Sequence, residues 1–247
     1  MGHLFYIILY QPILNALVVL YNIVPGRDLG VSILLLTLLI KLVLYPLTAR
    51  SLKVQRQMQL LQPKINELQK KYKGQKEVLS KELMGLYKKE KVNPFSSCLP
   101  LLIQLPFLIA VYRVFIDGLK PAAISGLYTF VVSPGQLNTI AFGFLDLAAT
   151  KNWTLAILAG LAQYWQAKLS QTKKAVVHGP GTKDEDMAAA MSSQMLYIMP
   201  AMTVFISISL PAGLALYWLA TTLLTIGQQY LILRSGKPSS PISPIVE

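Results

Sequence analysis

The chain has 247 residues, 53% of them apolar and 14% charged, with a mean hydropathy of +0.49 and a net charge of +12. A soluble protein normally carries about 25% charged residues, so these proportions exclude an ordinary soluble fold and point to a polytopic membrane protein built as one compact bundle. Cys98 is the only cysteine, which excludes an intrachain disulfide and a cysteine-based metal cluster.

Leu4 to Val24 is apolar but interrupted by Tyr6, Tyr10, Gln11, Asn15, Tyr21 and Asn22, with Pro12 in its middle. It has no basic n-region and no small-x-small cleavage site, which argues against a cleaved signal. The scattered aromatic and amide groups favour a helix lying in, or obliquely entering, the membrane surface. Residues 1–29, running into the turn PGRDLG at Pro25 to Gly30, thus form an N-terminal interfacial amphipathic helix and turn, and a sixth span here is the competing topology.

Val31 to Ala49 reads VSILLLTLLIKLVLYPLTA, apolar on every face with Lys41 near its middle. As one helix it is about 29 Å long, close to the hydrocarbon thickness of a bilayer. Three readings compete for the Lys41 ammonium: a buried ion pair, snorkelling to a surface, or a hydrated cavity inside the membrane. No other candidate span carries a central Asp or Glu, which counts against the ion pair, and of the other two readings the cavity is favoured. Pro46 removes a backbone donor near the end of the run.

Twelve of the 23 Lys and Arg residues fall between Arg50 and Lys91, against four acids. The block lacks interleaved aromatics or a nucleic-acid module, so no DNA partner is expected and a cytosolic face against anionic headgroups is the simpler account. Val54, Met58, Leu61, Ile65, Leu68 and Tyr72 recur at three- and four-residue steps, Gly74 interrupts, and Leu79, Leu83 and Leu86 follow. Residues 50–93 therefore read as a cytosolic helical hairpin whose stripes face one another or the bilayer.

Leu99 to Phe115, bent by Pro100 and Pro106 and carrying Gln104, is the second span. Cys98 at its start reads as a small packed thiol. His3 and His178 are the only histidines and neither sits in a catalytic motif, so no catalytic residue, cofactor or metal is expected. Asp117 to Asn152 is a mixed connection with a short interfacial helix expected in its centre. Trp153 to Ala167 is the third span, with Gln163 near its end, and residues 168–193 form a second cytosolic loop. Met195 to Leu210 and Gly213 to Leu233 are the fourth and fifth, the last carrying Tyr217, Trp218, Thr221, Thr222, Thr225, Gln228 and Gln229. Such polar residues tie membrane helices together at about 0.6–2 kcal/mol each. The Ser/Pro-rich tail, 235–247, reads as disordered.

Five spans place the hairpin, the 168–193 loop and the chain's end on one side, with 18 of the 23 basic residues. By the positive-inside rule that side is cytosolic, so the N-terminus lies outside and the C-terminus inside.

The stretches GVSILLLTLLIKLVLYPLT, LQPKINELQKKYK, VNPFSSCLPLLIQLPFLIAVY and LPAGLALYWLATTLLTIGQQ, in this order and spacing, resemble the YidC/Oxa1/Alb3 membrane protein insertase family from about residue 5 to residue 234. The resemblance implies an all-α, five-helix bundle over residues 30–234 in the bacterial plasma membrane. It also implies a hydrophilic groove open to cytosol and lipid and closed outside. Its implied partners are nascent membrane proteins and lipids, with the ribosome, signal-recognition components and the Sec translocon. The family's groove arginine falls on Lys41, which keeps the charge without the rigid guanidinium fork. Its fifth-helix asparagine falls on Thr222, a weaker polar group. Gln104, Gln163, Tyr217, Thr222, Thr225 and Gln228 complete the expected groove with Lys41. No large extracytoplasmic domain, lipidated signal cysteine or long ribosome-binding tail is expected. The rival readings are a small-solute channel or transporter, for which no inverted repeat is visible, and a noncatalytic assembly scaffold.

Overall fold

The computed structural model describes residues 2–93, 99–118, 126–170 and 183–235. Cys98, the centre of the 168–193 loop (171–182) and the tail beyond 235 lie outside the described residues. Helix α1 is His3–Ile23, with a π turn at Tyr6–Tyr10 just before Pro12, which has no N–H to continue the ladder. Its polar groups have partners within the protein. The Gln11 and Asn15 amides donate to the Gly126 carbonyl at 3.2 and 3.1 Å, and Asn15 Oδ1 accepts from the Tyr128 N–H at 2.7 Å. The Tyr21 hydroxyl accepts from the Asn138 N–H at 2.9 Å, and the Asn22 amide donates to the Val132 carbonyl at 2.8 Å. Leu14, Leu17 and Val18 meanwhile sit in the main core.

Asp28 caps helix α2, Leu29–Val43, by accepting from the Val31 N–H at 2.9 Å. The single helix expected over Val31–Ala49 is instead broken at Leu44, where the chain bends by 68° into α3, Tyr45–Lys71. Pro46 falls in the first turn of α3, where its missing N–H costs no helical bond. Lys41 therefore lies in the last turn of a 15-residue helix rather than at mid-span.

Helix α4, Lys76–Lys89, returns along α3 after a turn at Gly74 with φ +84°. Leu61 and Ile65 pack with Val92 and against Val54, Met58, Leu83, Leu86 and Tyr87, so the stripes do face one another. Lys64 and Glu90 close the hairpin's base with an ion pair at 2.8 Å.

Helices α5, Leu99–Gly118, α6, Trp153–Ser170, α7, Lys183–Ser209, and α8, Ala212–Ser235, complete the bundle. The largest packing interfaces join α6 to α7, α6 to α8 and α2 to α8. Between α5 and α6 the described residues from 126 to 152 hold no helix, in contrast to the interfacial helix expected there. They form turns and a short antiparallel ladder, β1 (Ile140–Ala141) with β2 (Leu145–Asp146). Phe142 and Gly143 turn the ladder at φ +54° and +79°, a geometry suited to a hairpin. The ladder lies on the start of α2, where a Cβ at Gly30 would stand 2.7 Å from the Ala141 Cβ.

The fold is all-helical apart from this ladder among the described residues. Five spans, however, do not follow from helix length and composition. Among the described residues His3–Ile23 is long and apolar enough to cross a membrane, and the bent pair Leu29–Val43 and Tyr45–Lys71 would make a second. Leu196–Ser209 is a shorter apolar helix. The bend at Leu44 explains part of the difference, because it cuts the most apolar run to 15 residues, about 22 Å.

Candidate functional site

Helix α2 is one-sided within the protein. Ile33, Leu36, Thr37, Ile40 and Lys41 are buried, while Leu34, Leu35, Leu38, Leu39, Leu42 and Val43 are exposed. This spacing puts Lys41 on the face turned into the bundle, where it is 7% exposed. Its Nζ donates to Thr225 Oγ1 on α8 at 2.9 Å. Thr225 spends its own hydroxyl proton on the Thr221 carbonyl at 2.8 Å, so towards Lys41 it can act only as acceptor. Among the described residues no carboxylate pairs with the ammonium, and the ion-pair reading of Lys41 finds no partner there.

Helix α8 is the hub of these contacts. Tyr217, Thr221, Thr225 and Gln229 are spaced by four residues and share a face over about 18 Å. Each end of that row engages a different neighbour. The Gln104 amide on α5 donates to the Tyr217 hydroxyl at 2.9 Å, and the Gln229 amide donates to Ser170 Oγ at the end of α6 at 3.0 Å. Lys41 joins from α2 between them. Thr222, buried beside this row, returns its hydroxyl to the Trp218 carbonyl at 2.9 Å. Gln228 is half-buried and its Oε1 is buried without a hydrogen-bond partner among the described residues. Gln163 is half-buried on α6 and its side chain makes no hydrogen bond among the described residues. Of the expected residues, the structure joins Lys41 to Thr225 and Gln104 to Tyr217, and leaves Gln163 apart.

A small, half-open recess lies one helical turn beyond Thr225, lined by Leu52, Gln55, Arg56, Gln59, Leu169, Ser170, Gln229 and Ile232. Lys41 is not among its walls. The first hairpin helix supplies half of the lining and also holds the helix ends around it. The Gln59 amide donates to the Ser170 carbonyl at 2.6 Å, and Arg56 donates to the Ile232 carbonyl at 3.1 Å. These carbonyls lie in the last turns of α6 and α8, where helices lack internal donors and favour cations. Gln229 Oε1 is buried at this wall with no hydrogen-bond partner among the described residues. Sequence reasoning missed Gln55, Arg56 and Gln59. With Leu52 they occupy the face of α3 opposite the Val54–Met58–Leu61 stripe, a face that periodicity alone reads as solvated.

The far end of the bundle is packed among the described residues. Ala141, Leu147 and Val131 of the α5–α6 connection are buried in the main core. Its backbone is tied to the α7–α8 turn by Ala212 N–H to the Ala149 carbonyl at 2.9 Å and Gly213 N–H to the Leu147 carbonyl at 3.0 Å. The Phe142 N–H donates to the Asp28 carboxylate at the start of α2. The side-chain contacts of the α8 row therefore run from mid-bundle towards the hairpin, while those at the opposite end tie the packed α5–α6 connection to the starts and ends of its helices.

Residues 19–239 match the family model described as 60Kd inner membrane protein. The chain is 34% identical over 209 residues to the membrane protein insertase YidC of Fusobacterium nucleatum, covering 85% of this chain and 88% of that protein. It is 36% identical over 206 residues to the membrane protein insertase YidC of Francisella tularensis subsp. novicida, covering 83% of this chain but 32% of that relative. A solved structure, described as an active YidC insertase with the first transmembrane domain resolved, superimposes with a TM-score of 0.59 at 28% identity. The match covers 90% of this chain and 46% of the solved one, so the chain spans less than half of that longer protein. With a family model matched over most of its length and a relative of similar size at this identity, the chain belongs to the YidC/Oxa1/Alb3 membrane protein insertase family.

Proposed function

We propose that this protein guides hydrophobic segments of nascent proteins from the cytosol into the bilayer through a polar groove centred on Lys41 and α8. It works by non-covalent assembly, without a catalytic residue. The observation that carries the reading is the Lys41–Thr225 contact, a cation on the inward face of an apolar helix, met by a neutral hydroxyl instead of a carboxylate. An ammonium left uncompensated in this way keeps its attraction for passing negative charge. Each polar group carried through hydrocarbon without a partner costs several kcal/mol. The polar row on α8 shortens that path for the outer end of a client, and Lys41 draws acidic groups along it.

In this reading helices α2, α5, α6, α7 and α8 are the five spans, and the basic hairpin faces the cytosol with the C-terminus. The N-terminus is outside, in the bacterial plasma membrane. Gln104, Tyr217, Thr222, Thr225 and Gln228 line the groove with Lys41, and Gln163 contributes from α6. The hairpin receives the client and meets headgroups, ribosome or signal-recognition components, and the protein works alone or beside the Sec translocon.

The purified protein, reconstituted alone, is expected to insert a short client with an acidic outer end into liposomes. Lys41→Arg should retain that insertion and Lys41→Glu should reduce it the most. Equal insertion by wild type, Lys41→Glu and Lys41→Ala would remove the role of Lys41, and solute flux without any client would favour a channel instead.

A further inference from the structure

The capped end of the bundle carries an unexpected set of side chains. Phe130, Val132, Phe144 and Trp153 are 78%, 76%, 81% and 62% exposed, on a connection whose neighbouring Ala141 and Leu147 are fully buried. Single exposed apolar residues are ordinary on any protein surface. These four, however, all lie at the same end of the bundle, on the α5–α6 connection or at the helix start it leads into. Val132 is tied through its carbonyl to Asn22 at the end of α1, beside the equally exposed Ile23. Phe144 packs near Phe142, whose N–H is held by Asp28 at the start of α2, and Trp153 opens α6. The rim's backbone is bonded to three different helix ends, so its exposure is built into the fold.

The rim also meets a geometric need. Helix α2 spans about 22 Å, some 8 Å short of a typical hydrocarbon core. Its first lipid-sized exposed residue, Leu34, lies four residues from Gly30, on which the Ala141–Phe142 turn rests. That places the turn about 6 Å along the axis from the leucine belt. Aromatic side chains beyond the end of the span extend the apolar surface where the helix stops, and aromatic groups favour the headgroup boundary. Arg27 and Lys151, both exposed at this end, suit headgroup phosphates.

We infer that Phe130, Val132, Phe144 and Trp153 form a lipid-seated rim, which continues the apolar belt of α2 into the membrane interface and compensates for the shortness of that helix. The inference rests on the membrane-spanning reading above but not on which leaflet the rim occupies.

The test places an environment-sensitive fluorophore at Phe144→Cys, and separately at Phe130→Cys, in a Cys98→Ser background. The proteins are reconstituted into nanodiscs of phosphatidylethanolamine and phosphatidylglycerol. Leu38→Cys on the exposed side of α2 is the lipid reference, and Glu77→Cys on the hairpin is the water reference. The expected result is blue-shifted emission at both rim sites, strong quenching by lipids spin-labelled near the headgroup, and several-fold weaker iodide quenching than at position 77. Rim probes that match position 77 while position 38 reports lipid overturn the rim alone. If position 38 also reports water, the membrane-spanning reading falls and the rim falls with it.

Discussion

Replacing Lys41 with methionine separates a working cation from a structural tie. Methionine has a similar unbranched reach and fills irregular apolar space. The substitution removes the 2.9 Å hydrogen bond to Thr225. A bond to a charged group contributes about 1.5–3 kcal/mol. It also removes the cost of holding an ammonium on a buried face, which is still about several kcal/mol after relaxation and water penetration. Thr225 loses no obligatory partner, because its proton already goes to the Thr221 carbonyl. The two terms oppose one another, so Lys41→Met should leave stability within about 1 kcal/mol of wild type or raise it. Insertion of clients with acidic outer ends should nevertheless fall sharply. The assays are thermal unfolding of the detergent-solubilised protein and insertion by the same preparation in liposomes. A loss of more than about 2 kcal/mol with undiminished insertion would refute the reasoning and make Lys41 a helix–helix tie.

Other outcomes follow from individual contacts. Gln59→Ala withdraws the donor 2.6 Å from the Ser170 carbonyl, so hydrogen exchange at the end of α6 should accelerate, matching a loss of about 1 kcal/mol; unchanged protection would mean that the end of α6 is held elsewhere. Asn15→Leu strands the Tyr128 N–H and one bond to the Gly126 carbonyl, which should lower stability by about 1–3 kcal/mol. An unchanged melting temperature for that variant would show that α1 does not hold the cap.

The elements differ in how readily the sequence announced them, and the reasons are physical. The hairpin was legible because a helix with one apolar stripe must bury it, and Leu61, Ile65, Leu83 and Leu86 had one another as the nearest cover. Lys41 was conspicuous for the opposite reason, as a lone charge in an apolar run. Its depth was not legible, since Leu44 looks like every other leucine in that run. Pro46 marked the bend only to within a turn. The tyrosines and amides of α1 suggested an interface because their partners, Gly126, Tyr128, Val132 and Asn138, lie more than a hundred residues away. Strands of two residues carry too little alternation to be seen, so the Ile140–Asp146 ladder gave no signal. The recess was hidden for a related reason. Gln55, Arg56 and Gln59 read as solvated hairpin charge and amide until the ends of α6 and α8 are placed beside them.

The account depends most on water and charge reaching the Lys41–Thr225 contact from the hairpin side. The direct measurement is modification of Thr225→Cys, in a Cys98→Ser background, by a membrane-impermeant charged thiol reagent added to either side of oriented membranes. Reaction from the hairpin side at a rate well above that of Leu38→Cys, with little from the capped side, is the predicted result. Inertness from both sides, equal to that of Leu38→Cys, would contradict the account.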